Sequence, residues 1–363
     1  MAIDPHTDFF PLFERVAKKN GEKIVEAFSD ERAGFTRNPH KAARCLAILV
    51  RIFAERAGMI ARLAAIATEM ILKHEHPANL YTAVMPELAT GPHRTQIAAI
   101  VEDAWRSGSA NAFQLTDCVR SGLLSFEQSV ALCLERLQNA GSEGSEIMWE
   151  FVYSINGFFL RGLDDVDTQR AAIDEIVEKV VDPERFDPKS CLRATESLLW
   201  TAFKARGVSA PLVDLIAVLC LKAPEAAANT LQYPLRSSDF FRISGIEQER
   251  ICDALVSNLP ESVAGYFVME FADASPSGGI SKYIAAQYAE KFGCDGLFNK
   301  VRAFIDNHRM MNIAPTRRLS ALLKLLKEVD PERFELERQY FEFPENPENA
   351  ENPESPESPN RNQ

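Results

Sequence analysis

The fourteen residues Ile147 to Leu160 read Ile-Met-Trp-Glu-Phe-Val-Tyr-Ser-Ile-Asn-Gly-Phe-Phe-Leu, with apolar side chains at Ile147, Phe151, Val152, Ile155 and Phe159. Steps of three and four return to one side of a helix with 3.6 residues per turn, so the stretch predicts an amphipathic helix that buries one face. Pro39 to Arg56 repeats the device through Ala42, Cys45, Leu46, Leu49, Ile52 and Phe53. Glycine is sparse at 17 of 363 residues, and long stretches lack turn signals. Many short strands would need such signals, so the fold class is all-α.

The breaks between helical stretches share a chemistry. A polar or small residue precedes proline at Asn38-Pro39, His76-Pro77, Gly91-Pro92, Asp182-Pro183, Asp187-Pro188, Ala210-Pro211, Ala223-Pro224, Ala314-Pro315 and Asp330-Pro331. Asn or Asp caps the first free N–H groups, and proline tolerates the first helical position because its missing N–H had no intrahelical partner. Roughly 16 to 18 helices with short connections follow, the spacing of stacked antiparallel pairs. That general plan is similar to HEAT and armadillo α-solenoids. No consensus repeat of either is present, and no residue is carried over from them.

Val166 to Phe186 and Ala314 to Phe334 align without gaps, with nine of 21 positions identical, including both copies of Asp-Pro-Glu-Arg-Phe. Asn38 to Gly58 loosely resembles Asp187 to Gly207 at nearly the same offset. Either helix ends converge on one turn chemistry, or the chain holds two related halves, as helical-repeat proteins often do. The expected division is an N-terminal half over 1–186, a C-terminal half over 187–341 and a tail over 342–363. Tyr233 to Gly245 is the least periodic internal stretch, a hinge between halves or an exposed binding loop.

From Glu342 the composition changes. Glu342, Glu345, Glu348, Glu351, Glu354 and Glu357 recur every third residue, interleaved with Pro344, Pro347, Pro353, Pro356 and Pro359. Such a segment has too little apolar surface to offset its ordering entropy, so a disordered, polyproline-II-rich acidic tail is expected, solubilising in role.

The net charge of −12 is uneven: residues 101–280 alone carry −12, residues 281–341 carry +3 and the tail −5. An acidic surface repels phosphate, which disfavours general nucleic-acid binding. Within 295–327 the balance is +5, from Lys300, Arg302, Arg309, Arg317, Arg318, Lys324 and Lys327 against Asp295 and Asp306. The tail is expected to fold back over this basic surface and compete with an acidic partner.

Chemistry-bearing motifs are scarce. The seven cysteines are scattered and never spaced C-x-x-C, which reads as reduced thiols in a cytoplasmic protein without a zinc module. His74-Glu75-His76 is a close histidine pair, but positions two apart diverge on a helix, and these side chains more simply complement a helix C-terminus. Asp164, Asp165 and Asp167 sit where a helix begins, as caps do. No G-x-S-x-G is present, and Gly278-Gly279 lacks the Lys-Ser/Thr of a phosphate loop. No leader peptide is expected at Met1 to Phe13, and no apolar run reaches membrane-spanning length. Catalytic residues, metal ligands and cofactors are therefore all expected to be absent.

Trp149, Phe151, Tyr153, Phe158 and Phe159 crowd one helix, a pattern read as core, whereas Trp105 and Trp200 stand alone. Phe240, Phe241 and Arg242 lie in the aperiodic stretch and are the aromatic–arginine candidates for a binding surface. The expected function is a non-enzymatic protein-interaction scaffold or adaptor, with the acidic middle as contact face and a protein of unspecified identity as partner. Two alternatives are a helical-repeat protein that binds or processes nucleic acid through basic residues 295–327, with Lys300, Arg302, Arg309, Arg317 and Arg318 as contacts, and a sensor or regulatory subunit of an NTPase-linked switch.

Overall fold

A computed structural model of the chain describes residues 9–28, 39–74, 84–274, 279–310 and 317–341. The tail and its expected polyproline conformation, together with Glu75 and His76, lie outside the described residues. Among the described residues there are nineteen α-helices and no strand. The first eight are α1 (Phe9–Phe28), α2 (Pro39–Ile52), α3 (Ala57–His74), α4 (Met85–Thr90), α5 (Arg94–Arg106), α6 (Ala112–Arg120), α7 (Phe126–Asn139) and α8 (Gly144–Phe158). Then come α9 (Val166–Lys179), α10 (Pro188–Lys204), α11 (Ala210–Lys222), α12 (Pro224–Leu235), α13 (Gly245–Asn258) and α14 (Glu261–Ala274). The last are α15 (Gly279–Phe292), α16 (Cys294–Met310), α17 (Arg317–Val329), α18 (Pro331–Leu336) and α19 (Arg338–Phe341). The count exceeds the sequence expectation partly because α4, α18 and α19 are helices of only four to six residues, too short to show a periodicity. None of the described helices is long and apolar enough to cross a membrane.

Side-chain caps set several of the helix starts. The Asn111 side chain accepts from the Gln114 N–H, and the Gln114 side chain returns the bond to the Asn111 N–H. Ser125 and Gln128 form the same reciprocal pair at α7. Asp187 and Asp330 cap α10 and α18 with proline just inside the helix. Asp182-Pro183 departs from this pattern: Asp182 accepts from the Glu184 N–H in a turn and starts no helix. Gly108 and Gly122, just past the ends of α5 and α6, adopt φ of +78° and +80°, the left-handed conformation that closes a helix.

The chain divides into two compact units, one of residues 1–234 and 242–244, the other of residues 235–241 and 245–363. The aperiodic stretch from Tyr233 is where the division falls. The expected boundary between 186 and 187 concerns sequence duplication rather than compactness, and it lies in the short connection from α9 to α10.

In the first unit, helices two apart in sequence lie side by side: α5 with α7, α6 with α8, α8 with α10, and α9 with α11. Sequential contacts of α6 with α7, α7 with α8 and α10 with α11 join the rows. The apolar stripes face inward. Trp105 is fully buried, donates its indole N–H to the Leu132 carbonyl at 2.9 Å and carries the Arg136 guanidinium over its ring at 4.4 Å. Burying a ring of that size contributes on the order of 4 kcal/mol before ordering entropy is counted.

The second unit is held by an aromatic core and a buried ion triad. Phe240, Phe267, Phe271, Phe298 and Tyr288 are fully buried, and Phe240 stacks on Phe271 with ring centroids 5.5 Å apart. Beside them Glu270 of α14 is 4% exposed. Its Oε2 lies 2.7 Å from Arg236 Nη1 and its Oε1 2.6 Å from Arg318 Nη2 of α17. A carboxylate this buried is tolerated because both oxygens face a guanidinium.

Glu270→Gln is expected to destabilise the second unit by on the order of 2 kcal/mol in urea denaturation. That is less than a fully buried pair would lose, since Arg236 remains partly in water and recovers hydration. An unfolding midpoint identical to the parent chain would show that the triad contributes nothing.

Candidate functional site

Helix α8 has a neighbour on each side and another behind it. Its inward positions Ile147, Met148, Phe151, Val152, Ser154, Ile155 and Asn156 are buried. The helical repeat then leaves one outward stripe, formed by Glu146, Trp149, Glu150, Tyr153 and Gly157. Asn156 secures the side toward α10, donating from Nδ2 to the Ser197 carbonyl and hydroxyl, both at 2.8 Å. Its Oδ1 has no hydrogen-bond partner among the described residues.

Aromatic rings gather along this stripe. Phe113, in the first turn of α6, meets Tyr153 edge-on at 6.2 Å and Phe158 edge-on at 5.6 Å. Trp149 lies 5.0 Å from Tyr153. Phe113, Tyr153 and Phe158 are 44%, 46% and 49% exposed, so three large rings in one cluster stand half in water. On the α10 side the Arg193 guanidinium covers the Trp149 ring at 4.2 Å. The sequence reading assigned these rings to the core. The structure divides them: Phe151 is buried, Trp149 and Phe159 are half-buried, and Tyr153 and Phe158 are exposed.

Carboxylates border the rings. Glu143, in the 3₁₀ turn leading into α8, and Glu146 and Glu150 on the helix are exposed. Among the described residues none of the three has an ion-pair or hydrogen-bond partner for its carboxylate. Glu196 of α10 is held above the ordinary carboxylate range by burial, which the Trp200 indole and Arg193 beside it partly offset. Burial likewise raises Asp117 of α6, against the pull of Arg120. The arrangement offers flat apolar area flanked by negative charge and pairs no nucleophile with a base.

The residues singled out from sequence are placed differently. Phe240 is in the core of the second unit, and Phe241 is half-buried against it with ring centroids 5.2 Å apart. Arg242 is exposed on the 3₁₀ turn Phe240–Arg242 and belongs to the first unit. Within the second unit the basic set of α16 and α17 has internal partners. Lys300 donates to the Ser262 carbonyl at 2.9 Å and Arg302 to Glu337 at 3.0 Å. Arg309 donates to the Tyr340 carbonyl, and Arg318 pairs with Glu270. The structure does gather Arg302 and Arg309 around the Tyr340 ring, at 5.6 and 5.0 Å. The Arg317 side chain lies outside the described residues.

Asp165 accepts from the Thr168 N–H at 2.8 Å and is held low mainly by its bonds to the Thr168 hydroxyl and N–H, the behaviour of a cap. Among the described residues no group of three or more His, Cys, Asp or Glu side chains is placed to hold a metal ion. Six of the seven thiols are buried, and only Cys294 is partly exposed. Burial pushes Cys118, Cys191 and Cys220 up to about 12, and raises Cys133, Cys252 and Cys294 as well.

Iodoacetamide on the native protein at pH 8 is expected to label Cys294 first and leave the other six until unfolding, read by peptide mass spectrometry. Because the fold raises these thiols above their ordinary 9.0, the unfolded chain releases protons that the folded chain keeps. Stability should therefore fall as pH rises above about 9. Equal labelling of all seven, or stability flat up to pH 11, would contradict the burial.

No protein-family model, no curated protein and no solved structure matches this chain.

Proposed function

We propose that the chain is a non-enzymatic protein-interaction scaffold or adaptor that docks a partner protein on the outward face of α6, α8 and α10. The observation that carries this reading is the cluster of Phe113, Tyr153 and Phe158, each nearly half exposed, on two adjacent helices. Surfaces of monomers scatter single apolar residues, whereas contiguous aromatic patches with a polar rim mark binding sites. Side-by-side packing of helices two apart supports the α-solenoid plan of stacked antiparallel pairs, in which each row leaves one face free for recognition. The proposal includes two related halves over 1–186 and 187–341 and a cytoplasmic location. The charge of −12 over residues 101–280 places this face in the acidic middle of the chain.

The nucleic-acid reading draws on Lys300, Arg302, Arg309 and Arg318. It is less well supported, because carboxylates and carbonyls of the same unit already engage these side chains. No observation favours the NTPase-linked reading.

Affinity purification of the tagged full chain from its native host, with quantitative identification of bound proteins, compares the parent with Phe113→Ala/Tyr153→Ala/Phe158→Ala. The expected result is a partner retained by the parent and depleted at least tenfold from the variant, with helical content and thermal midpoint nearly unchanged because all three rings are half exposed. A partner held equally by both overturns the proposed face. A partnerless monomer that turns over a small molecule overturns the scaffold itself.

A further inference from the structure

We infer that the segment docking on the α6–α8–α10 face is a basic, apolar stretch of another protein, whose Lys or Arg side chains reach Glu146 and Glu150 while its apolar side chains cover Phe113, Tyr153 and Phe158. This inference rests on the scaffold reading above and adds the chemistry of the partner.

Three observations set the sign of the charge. First, Glu143, Glu146 and Glu150 follow the outward edge of α8 without a partner among the described residues, and Trp149 and Tyr153 lie three positions beyond Glu146 and Glu150. An acidic segment laid on the rings would meet all three carboxylates with like charge, which opposes docking. Second, the surroundings reinforce the sign, since residues 101–234 hold 12 basic and 20 acidic side chains. A field of that sign raises the encounter rate of cationic segments and lowers that of anionic ones.

Third, the patch already shows how it receives a cation. Arg193 lays its guanidinium over Trp149 at 4.2 Å, the geometry in which a ring quadrupole attracts positive charge. Among the described residues no cation covers Phe113, Tyr153 or Phe158, so these faces remain open to a guest. The countercharges on α10 do not reverse the argument. Lys189 and Lys204 sit at the two ends of the helix, about 22 Å apart at 1.5 Å per residue, and Arg193 is engaged on Trp149. The centre of the face is left to the rings and carboxylates.

The probe is a displayed library of random 16-residue peptides, panned against the full chain at low and physiological salt. Enriched peptides are expected to combine Lys or Arg with Leu, Phe or Trp. Their affinity should fall at least tenfold on Glu146→Lys/Glu150→Lys, fall less on Glu146→Gln/Glu150→Gln, and weaken with salt. A peptide whose cations are replaced by Glu should regain binding to the Lys variant. Peptides that depend on Phe113, Tyr153 and Phe158 but are acidic or neutral, or ignore Glu146 and Glu150, would overturn the inference and leave the docking face standing. Peptides indifferent to both sets of substitutions would overturn the inference and this face while leaving a scaffold that docks elsewhere. No enrichment at either salt would count against the inference and the scaffold reading together.

Discussion

A helix with a neighbour on each flank and another behind it has one stripe left over. In α8 that stripe is aromatic and acidic. Side-by-side packing of helices two apart in sequence imposes this constraint in the first unit, and the other features of the candidate site follow from it. The inward positions of α8 are mostly apolar because they meet α6, α7 and α10. The outward ones hold Glu146, Trp149, Glu150 and Tyr153 rather than the small polar mixture of an idle surface. Leaving such rings half in water forgoes burial energy that a core position would have gained. A partner that covers them recovers it.

The two units use polar groups differently. In the second unit charged groups pair with one another: Glu270 fixes Arg236 and Arg318, Glu337 receives Arg302 and Arg333, and Tyr340 donates to Asp306. Phe341 is buried against Phe298 and Phe334, so the last described turn is clamped to α16 by packing as well as by charge. These contacts leave the basic stretch 295–327 with fewer open cations than its composition suggests. In the first unit the carboxylates of α8 face outward without partners among the described residues. Net charge over a stretch of sequence therefore did not distinguish groups that hold the fold together from groups offered to solvent.

Helices were legible wherever they were long enough to repeat. Ile147 to Leu160 and Pro39 to Arg56 carry apolar residues at three- and four-residue steps; the first is helical as far as Phe158 and the second as far as Ile52, after which Leu160 enters a 3₁₀ turn and Phe53 a turn. Asp187-Pro188 and Asp330-Pro331 start helices by the capping chemistry their order implies, whereas Asp182-Pro183 shows that the same dipeptide serves a turn equally well. The site was harder to see. Tyr153 and Phe158 share a helix with Phe151, and composition alone does not say which rings face inward. Position on the helical wheel does, because Trp149 and Tyr153 fall on the same side as Glu146 and Glu150. Phe113 was not legible at all, since it joins the cluster only through the packing of α6 on α8. Phe240 illustrates the converse: an aperiodic stretch looked exposed, yet its ring supplies part of the second core.

Hydroxyl-radical footprinting of the intact chain, read residue by residue by mass spectrometry, tests the central claim most directly. Phe113, Tyr153 and Phe158 should oxidise readily, while Phe151, Phe203 and Trp105 remain protected until the chain unfolds. Protection of Tyr153 and Phe158 to the level of Phe151 in the partner-free monomer would mean that α8 has no open side, and the docking face would not exist.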